Sequence, residues 1–391
     1  MITPDQAEIL IQCRSLVLSE ESISIHQALN RVLAEDLVAD TDLPPFNRVM
    51  MDGIALCYRA IENGQTHFPI QAMQRAGEAP LALESEDYCI EIMTGAVCSS
   101  GCDTVVPYEH IRIDNGTAHI EFIPSAIGKN IHAQGSDKKR GEVLVPKGKR
   151  IGPAEIGIAA SIGKETLRIL RKPRVLICST GDELVDIHET PLAYQIRRSN
   201  VYALMASIAS LGIEADNLHL PDEKEQLERA LEEALKSYDV VILSGGVSKG
   251  KFDLLPVVLQ ELGVRTLFHG IAQRPGKPMW FGYSERCTVF ALPGNPVSTL
   301  ACAARYVLPW FKKQLGLDNQ TMRTSLVEEP ATHETLCLFI PVKLSHTLHG
   351  PESQVQQHQG SGDFSALSGI DGFVEVPAEK SAATNYRYFP I

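Results

Sequence analysis

Hydrophobic and polar positions change their period several times along the chain, and each change predicts a different kind of structure. At the start, Thr3-Pro4 with Gln6 three residues on from the threonine is a capping box with proline at the first helical position. Ile9, Leu10, Cys13, Leu16 and Val17 then supply an apolar helical face. Residues 22–25 alternate as a short strand, the pattern over 27–37 predicts a second helix, and Pro44-Pro45 breaks the chain. From about 46 to 145 the apolar positions fall into short alternating runs cut by glycine and proline: 90–93, 104–107, 111–113 and 119–123. This predicts a β-rich lobe. Residues 154–162 return to a helical period, so the N-terminal domain is expected to be discontinuous, with the lobe inserted into it.

Past Arg174 strand and helix patterns alternate: strand 174–178, helix 199–211, strand to 219, helix 223–236, strand 239–243, helix 253–262 and strand 264–269. Such alternation predicts a parallel sheet with right-handed crossovers. Short strands follow at 279–283 and 287–292, then a helix over 297–315, and the tail alternates again near 336–344 and 372–376. The expected domains are residues 1–45 with 146–172 as a helical N-terminal domain, 46–145 as the inserted lobe, 173–321 as the α/β domain, and 322–391 as a small β domain. The fold class is multidomain α/β plus β.

Composition narrows the function. The 391 residues carry a net charge of −12, which argues against nucleic-acid or anionic-membrane partners, since both call for clustered lysine and arginine. Any anionic ligand must meet a local basic site, and Lys249, Lys251, Arg274 and Lys277 all stand beside glycine-rich loops. The cysteines number nine and include no Cys-x-x-Cys pair, so neither a disulfide framework nor a zinc ribbon is expected. A reducing cytoplasm is the expected compartment. No apolar run approaches the roughly 18 residues needed to cross a bilayer, and the first residues do not form an export signal.

Two strand ends carry unusual loops, and in such sheets ligands collect beyond the carboxyl ends of the strands. The loop Ser244-Gly245-Gly246-Val247-Ser248 lets backbone and hydroxyls close on an oxyanion, and Asp253 follows it; the same composition also serves a plain strand-to-helix turn. Asp182 and Glu183, after Ser179-Thr180-Gly181, suit a hard metal, or an Asx turn before a helix. Pro275-Gly276-Lys277-Pro278 and Pro293-Gly294-Asn295-Pro296 are rigid loops, each presenting one polar side chain, or simple type II turns. Asp52-Gly53 and Thr94-Gly95 are turns on physical grounds alone.

These motifs, with Leu43-Pro44-Pro45-Phe46, Met51-Asp52-Gly53, Met93-Thr94-Gly95, Gly128-Lys129-Asn130 and Gly135-Ser136-Asp137, occur in one order along nearly the whole chain. The ordered set closely resembles the molybdopterin molybdenumtransferases, the family of the gephyrin C-terminal domain. The resemblance implies insertion of molybdate into adenylylated molybdopterin, with magnesium or zinc present, and release of AMP. It implies catalytic roles for Asp52, Thr94, Asp137, Glu183 and Asp253, with Glu183 and Asp253 holding the metal. Substrate contacts are implied for Asp222, Ser244, Gly245, Gly246, Ser248, Arg274, Lys277, Pro293, Gly294, Asn295 and Pro296. Arg274 and Lys277 would attract molybdate. It further implies an elongated homodimer whose lobe reaches the partner's pterin site, and a molybdopterin adenylyltransferase as donor of the substrate.

The chain departs from the family pattern at several places. His132 stands where arginine is usual, Arg274 where lysine is commoner, and Arg197-Arg198 replace a more acidic stretch. The tail has Phe339-Ile340-Pro341 in place of a Phe-x-Arg strand, leaving Lys343 as the nearest cation. Two alternatives share the motifs: the adenylyltransferase step itself, disfavoured by the lobe and tail, and a non-catalytic scaffold, disfavoured by the intact carboxylates.

Overall fold

A computed structural model describes residues 1–247, 254–317, 320–348, 350–357, 360–378 and 385–391. The chain forms two compact units, Ser22–Ile169 and Met1–Glu21 with Leu170–Ile391.

In the first unit, six strands form one sheet in the order Thr104–Pro107, Gly53–Leu56, Cys89–Ile92, His67–Gln74, Thr117–Ile120, Ile111–Asp114. Alternate residues leave a strand on opposite faces, so Ile54 and Leu56 enter a core with Phe68 and Val106, while Ala55 enters another with Ile92 and Val105. Gly53 is required here, because a Cβ would stand 2.0 Å from the Val106 carbonyl oxygen on the next strand. Beside this sheet, Leu33, Leu37, Val145, Ile151 and Leu167 pack against the helix Pro153–Ser161.

The helix expected over 27–37 is absent. Its residues form a 3-10 turn, Ile25–Gln27, and two short strands, Val32–Leu33 and Leu37–Val38. Asn30 takes a left-handed φ of 66° and its N–H donates to the Ile151 carbonyl at 2.8 Å. Cross-chain pairing thus satisfies the backbone, and tertiary context outweighs a weak helical period.

In the second unit the sheet order is Ala215–Leu220, Val175–Thr180, Val240–Ser244, Thr288–Leu292, Trp280–Tyr283, Arg265–His269. The first four strands are parallel; Trp280–Tyr283 runs antiparallel to both of its neighbours, Thr288–Leu292 and Arg265–His269, and turns the expected parallel sheet into a mixed one. Ser179 is in register with Ser244, and Ser244 with Leu292, so three strand ends reach one edge together. Val175 and Ile177 face a core containing the helices Ser199–Ala209 and Leu308–Gln314; Leu176 and Cys178 face Lys224–Ser237 and Leu255–Glu261. The first helix, Pro4–Gln12, packs on the former face through Ala7 and Ile11, not with the N-terminal domain as expected.

The helix expected over 297–315 runs as Pro296–Cys302, a π turn Ala303–Val307, and Leu308–Gln314. The tail closes into a small barrel: Gln273–Arg274, Cys337–Thr347, Gly350–Val355, Met322–Leu326, Tyr386–Pro390 and Gly372–Val376, with the last pairing back to Cys337–Thr347. Fully buried Arg305 of the π turn ties these parts together, donating to Glu375 at 2.9 Å and Glu8 at 2.9 Å. No helix among the described residues is long and apolar enough to cross a membrane.

Candidate functional site

Beyond the aligned strand ends of the second unit lies a crevice of about 740 Å³. Its walls include Thr180, Glu183, Asp222, Ser244, Gly245, Gly246, Pro293, Gly294, Asn295 and Pro296. The loops need their glycines. Gly245 has φ +102°, and a Cβ there would stand 2.8 Å from Thr180 Oγ1 and 2.9 Å from the Thr180 carbonyl oxygen. Gly181 has φ +129°, and a Cβ would lie 2.3 Å from Glu183 Oε2, so the loop folds the Glu183 carboxylate back over its own backbone. Thr180 is 95% buried by difference from its 5% exposure, and among the described residues its hydroxyl has no partner. A buried hydroxyl without a partner is costly unless a ligand or water meets it.

Other groups fix the walls. The Asp222 N–H donates to Asp182 Oδ1 at 3.2 Å, joining the two acidic loops. Asn200, in the first turn of the helix Ser199–Ala209, donates through Nδ2 to Ser244 Oγ at 3.0 Å and to the Gly294 carbonyl at 2.7 Å. One amide therefore holds the Ser244-Gly245-Gly246 loop to the Pro293–Pro296 loop. Thr299 Oγ1 donates to the Pro293 carbonyl at 2.6 Å, and Asn295 Nδ2 to Ser361 Oγ at 2.9 Å. Arg198 also lines the crevice and pairs with Asp186. The Ile187 N–H, with Arg198 and Tyr202, keeps the Asp186 carboxyl below the usual carboxylate range against partial desolvation.

Asn200, Gly362 and Phe364 line the crevice and were not singled out from sequence. Asn200 reads as a helix-start residue, and that position was its only signal; Phe364 belongs to the barrel segment, whose approach to this crevice is a tertiary fact. Ser248 and Asp253 lie outside the described residues. Arg274 and Lys277 are exposed on a loop whose Pro278 lines the crevice, but neither is itself among the lining residues.

The remaining predicted residues, Asp52, Thr94 and Asp137, belong to the first unit, where the strand Arg48–Val49 gathers their three segments. Arg48–Val49 pairs with Ile131–His132 on one side, and the Val49 carbonyl accepts from Gly95 N–H at 2.9 Å on the other. Asp52 Oδ1 accepts from both the Thr94 N–H and the Thr94 hydroxyl, each at 2.7 Å, and these bonds lower the Asp52 pKa. Arg48 donates to His132 Nδ1 at 3.1 Å, which leaves the ring proton on Nε2 to be donated to Asp137 at 2.7 Å. His132 is thus a link between a guanidinium and a carboxylate.

A mixed doubly wound sheet with a glycine-lined crevice at its strand ends is the architecture of a ligand-binding α/β domain. Residues 176–313 match the model described as a probable molybdopterin binding domain, and residues 2–163 match the MoeA N-terminal region (domain I and II). A molybdopterin molybdenumtransferase of Synechocystis is 39% identical over 398 aligned positions, spanning 100% of this chain and 99% of that protein. One from Staphylococcus aureus is 28% identical, over 91% of this chain and 87% of that protein. Two structures of the molybdopterin biosynthesis MoeA protein from Pyrococcus horikoshii share the fold. One has a TM-score of 0.82 and 29% identity, covering 100% of this chain and 99% of that one; the other has 0.80 and 25%, covering 100% and 98%. The chain belongs to the molybdopterin molybdenumtransferase family, transferases of molybdenum cofactor biosynthesis.

Proposed function

We propose that this protein inserts molybdate into adenylylated molybdopterin, with magnesium-dependent release of AMP, and so produces molybdenum cofactor. The observation that carries the reading is the crevice, where bare backbone, hydroxyls and two carboxylates converge beyond three strand ends in a member of the molybdopterin molybdenumtransferase family. Ser244, Gly245 and Gly246, continuing to Ser248, cradle the ligand's phosphate, and Asn295 with its flanking prolines holds the pterin side. Asn200 keeps these two walls in register.

Magnesium fits the donors better than zinc. Among the described residues the lining offers oxygen ligands and no thiol or imidazole, and no three His, Cys, Asp or Glu side chains form a cage of their own. That suits an ion held by one or two carboxylates and completed by phosphate oxygens and water. Glu183 holds it, with Asp253 as second ligand. When bound, it neutralises charge on the phosphoanhydride. Arg274 and Lys277 collect molybdate. Asp52, Thr94 and Asp137 act from the lobe of a second copy in a homodimer, and an adenylyltransferase supplies the substrate.

Purified protein mixed with adenylylated molybdopterin, molybdate and magnesium is expected to release AMP and yield active cofactor. Release of AMP that does not depend on molybdate would overturn the insertase reading, and ATP-dependent adenylylation of molybdopterin would replace it with the preceding step.

A further inference from the structure

Gln273 is a polar side chain almost wholly inside the protein, at 1% exposure, and its bonds tie one loop to Cys302 and Tyr306. Nε2 donates to the Pro275 carbonyl at 3.0 Å and to Cys302 Sγ at 3.5 Å, and Oε1 accepts from the Tyr306 hydroxyl at 2.5 Å. The Cys302 thiol in turn points to the Gly276 carbonyl at 3.8 Å. Gly276, at φ +97°, sits on these groups so closely that a Cβ would stand 2.5 Å from both Cys302 Sγ and Gln273 Nε2. The loop is closed by Ile271 N–H to the Lys277 carbonyl at 2.9 Å, and is stitched to the barrel by parallel pairing of Gln273 with Cys337 and Arg274 with Leu338.

The brace has its own foundation. All five residues of the π turn Ala303–Val307 are buried, and the turn aims Tyr306 at Gln273 while Arg305 engages Glu8 and Glu375. π turns inside helices often mark functional positions. Above the brace the loop presents two exposed cations, Arg274 and Lys277, and among the described residues neither side chain has a hydrogen-bond or carboxylate partner. A loop held this firmly from below, with unpaired charge above, is preorganised for an anion.

We infer that Gln273, backed by Tyr306 and Cys302, is a positioning residue for the oxyanion substrate: it fixes the Arg274–Lys277 loop so that guanidinium and ammonium form one rigid receptor. The inference rests on the role given to Arg274 and Lys277 in the proposed function. It says which buried residues make that role possible and predicts an effect on one substrate only.

The test uses the full-length protein with molybdate varied at saturating adenylylated molybdopterin. Gln273→Met and Tyr306→Phe are each expected to raise the KM for molybdate about tenfold, the scale of one buried hydrogen bond, with kcat and pterin affinity unchanged. The double variant Gln273→Met/Tyr306→Phe removes both members of the buried Gln273–Tyr306 bond together, so its thermal stability should return part of the way towards that of the unsubstituted protein while the KM for molybdate stays high. Recovery of the KM together with stability would mean the pair serves packing alone, and would overturn the inference. So would a fall in kcat and pterin affinity alongside molybdate KM in both single variants. Arg274→Gln/Lys277→Gln separates the two levels. If it raises the molybdate KM while the single variants do not, positioning is refuted and the proposed function stands. If it leaves the KM unchanged, the loop does not receive molybdate and the inference falls with that part of the proposed function.

Discussion

The crevice of the α/β unit and the polar cluster of the lobe use similar residues in opposite settings. In the crevice Ser179, Thr180 and Ser244 are buried, at 2%, 5% and 3% exposure, and the walls are pinned by main-chain and amide bonds around a cavity. In the lobe Asp52, Thr94 and Asp137 are exposed and bonded to their immediate neighbours, Asp52 to Thr94 and Asp137 to His132. The first arrangement encloses a cavity; the second holds polar groups in a set orientation at the surface. If the proposed function holds, binding and group presentation are separate tasks of the two regions, and substitutions should divide accordingly.

The largest effect expected on turnover is at Glu183. Glu183→Gln keeps size and shape but removes the charge proposed to hold the metal, so kcat for AMP release should fall about 10³-fold while pterin affinity changes only a few-fold. Equal losses in both would place Glu183 in binding. Next, Asp52→Asn should lower kcat on the order of 10²-fold and leave ligand affinity for the crevice intact, measured by AMP release and by ligand titration; weakened binding would erase the distinction between the regions. Asn200→Ala should do the reverse. Losing the amide that joins two walls is expected to weaken pterin binding about tenfold, with kcat at saturation preserved.

The smallest effect concerns pH. The Thr94 bonds lower the Asp52 pKa in the folded chain, so the stability they confer is fully present above the unfolded value of about 3.9 and is lost as pH falls through the lower folded value. The difference in melting temperature between the unsubstituted protein and Asp52→Asn should be constant from about pH 5 to 8 and shrink below about pH 4. A difference that persists unchanged at pH 3 would remove Thr94 as its cause.

The α/β sheet and its loops were legible in the sequence because strands and helices alternate cleanly there and because glycines at fixed places leave few backbone solutions. Gly245 and Gly181 are such places. The helix expected over 27–37 failed because Asn30 and a partner strand decide that segment, and a partner strand has no local signature. The first helix was correctly seen, yet its packing surface was not: Ala7 and Ile11 fit a core supplied by residues more than 160 positions later. Phe364 reached the crevice from a barrel whose closure depends on pairings across the tail. Long-range contacts, not local preferences, account for each of these gaps.

The network around Arg305 also bears on how the molecule is made. Asp5 accepts from Arg387 at 2.6 Å across 382 residues, and Glu8 accepts from Arg305 and Arg387 together. The opening helix therefore cannot complete its docking until Arg387 has been translated. Synthesis that stops short of Arg387 leaves Asp5 and Glu8 without one of their two cations and Glu375 without Arg387, so the ionic lock forms in full only on chains that have passed that residue.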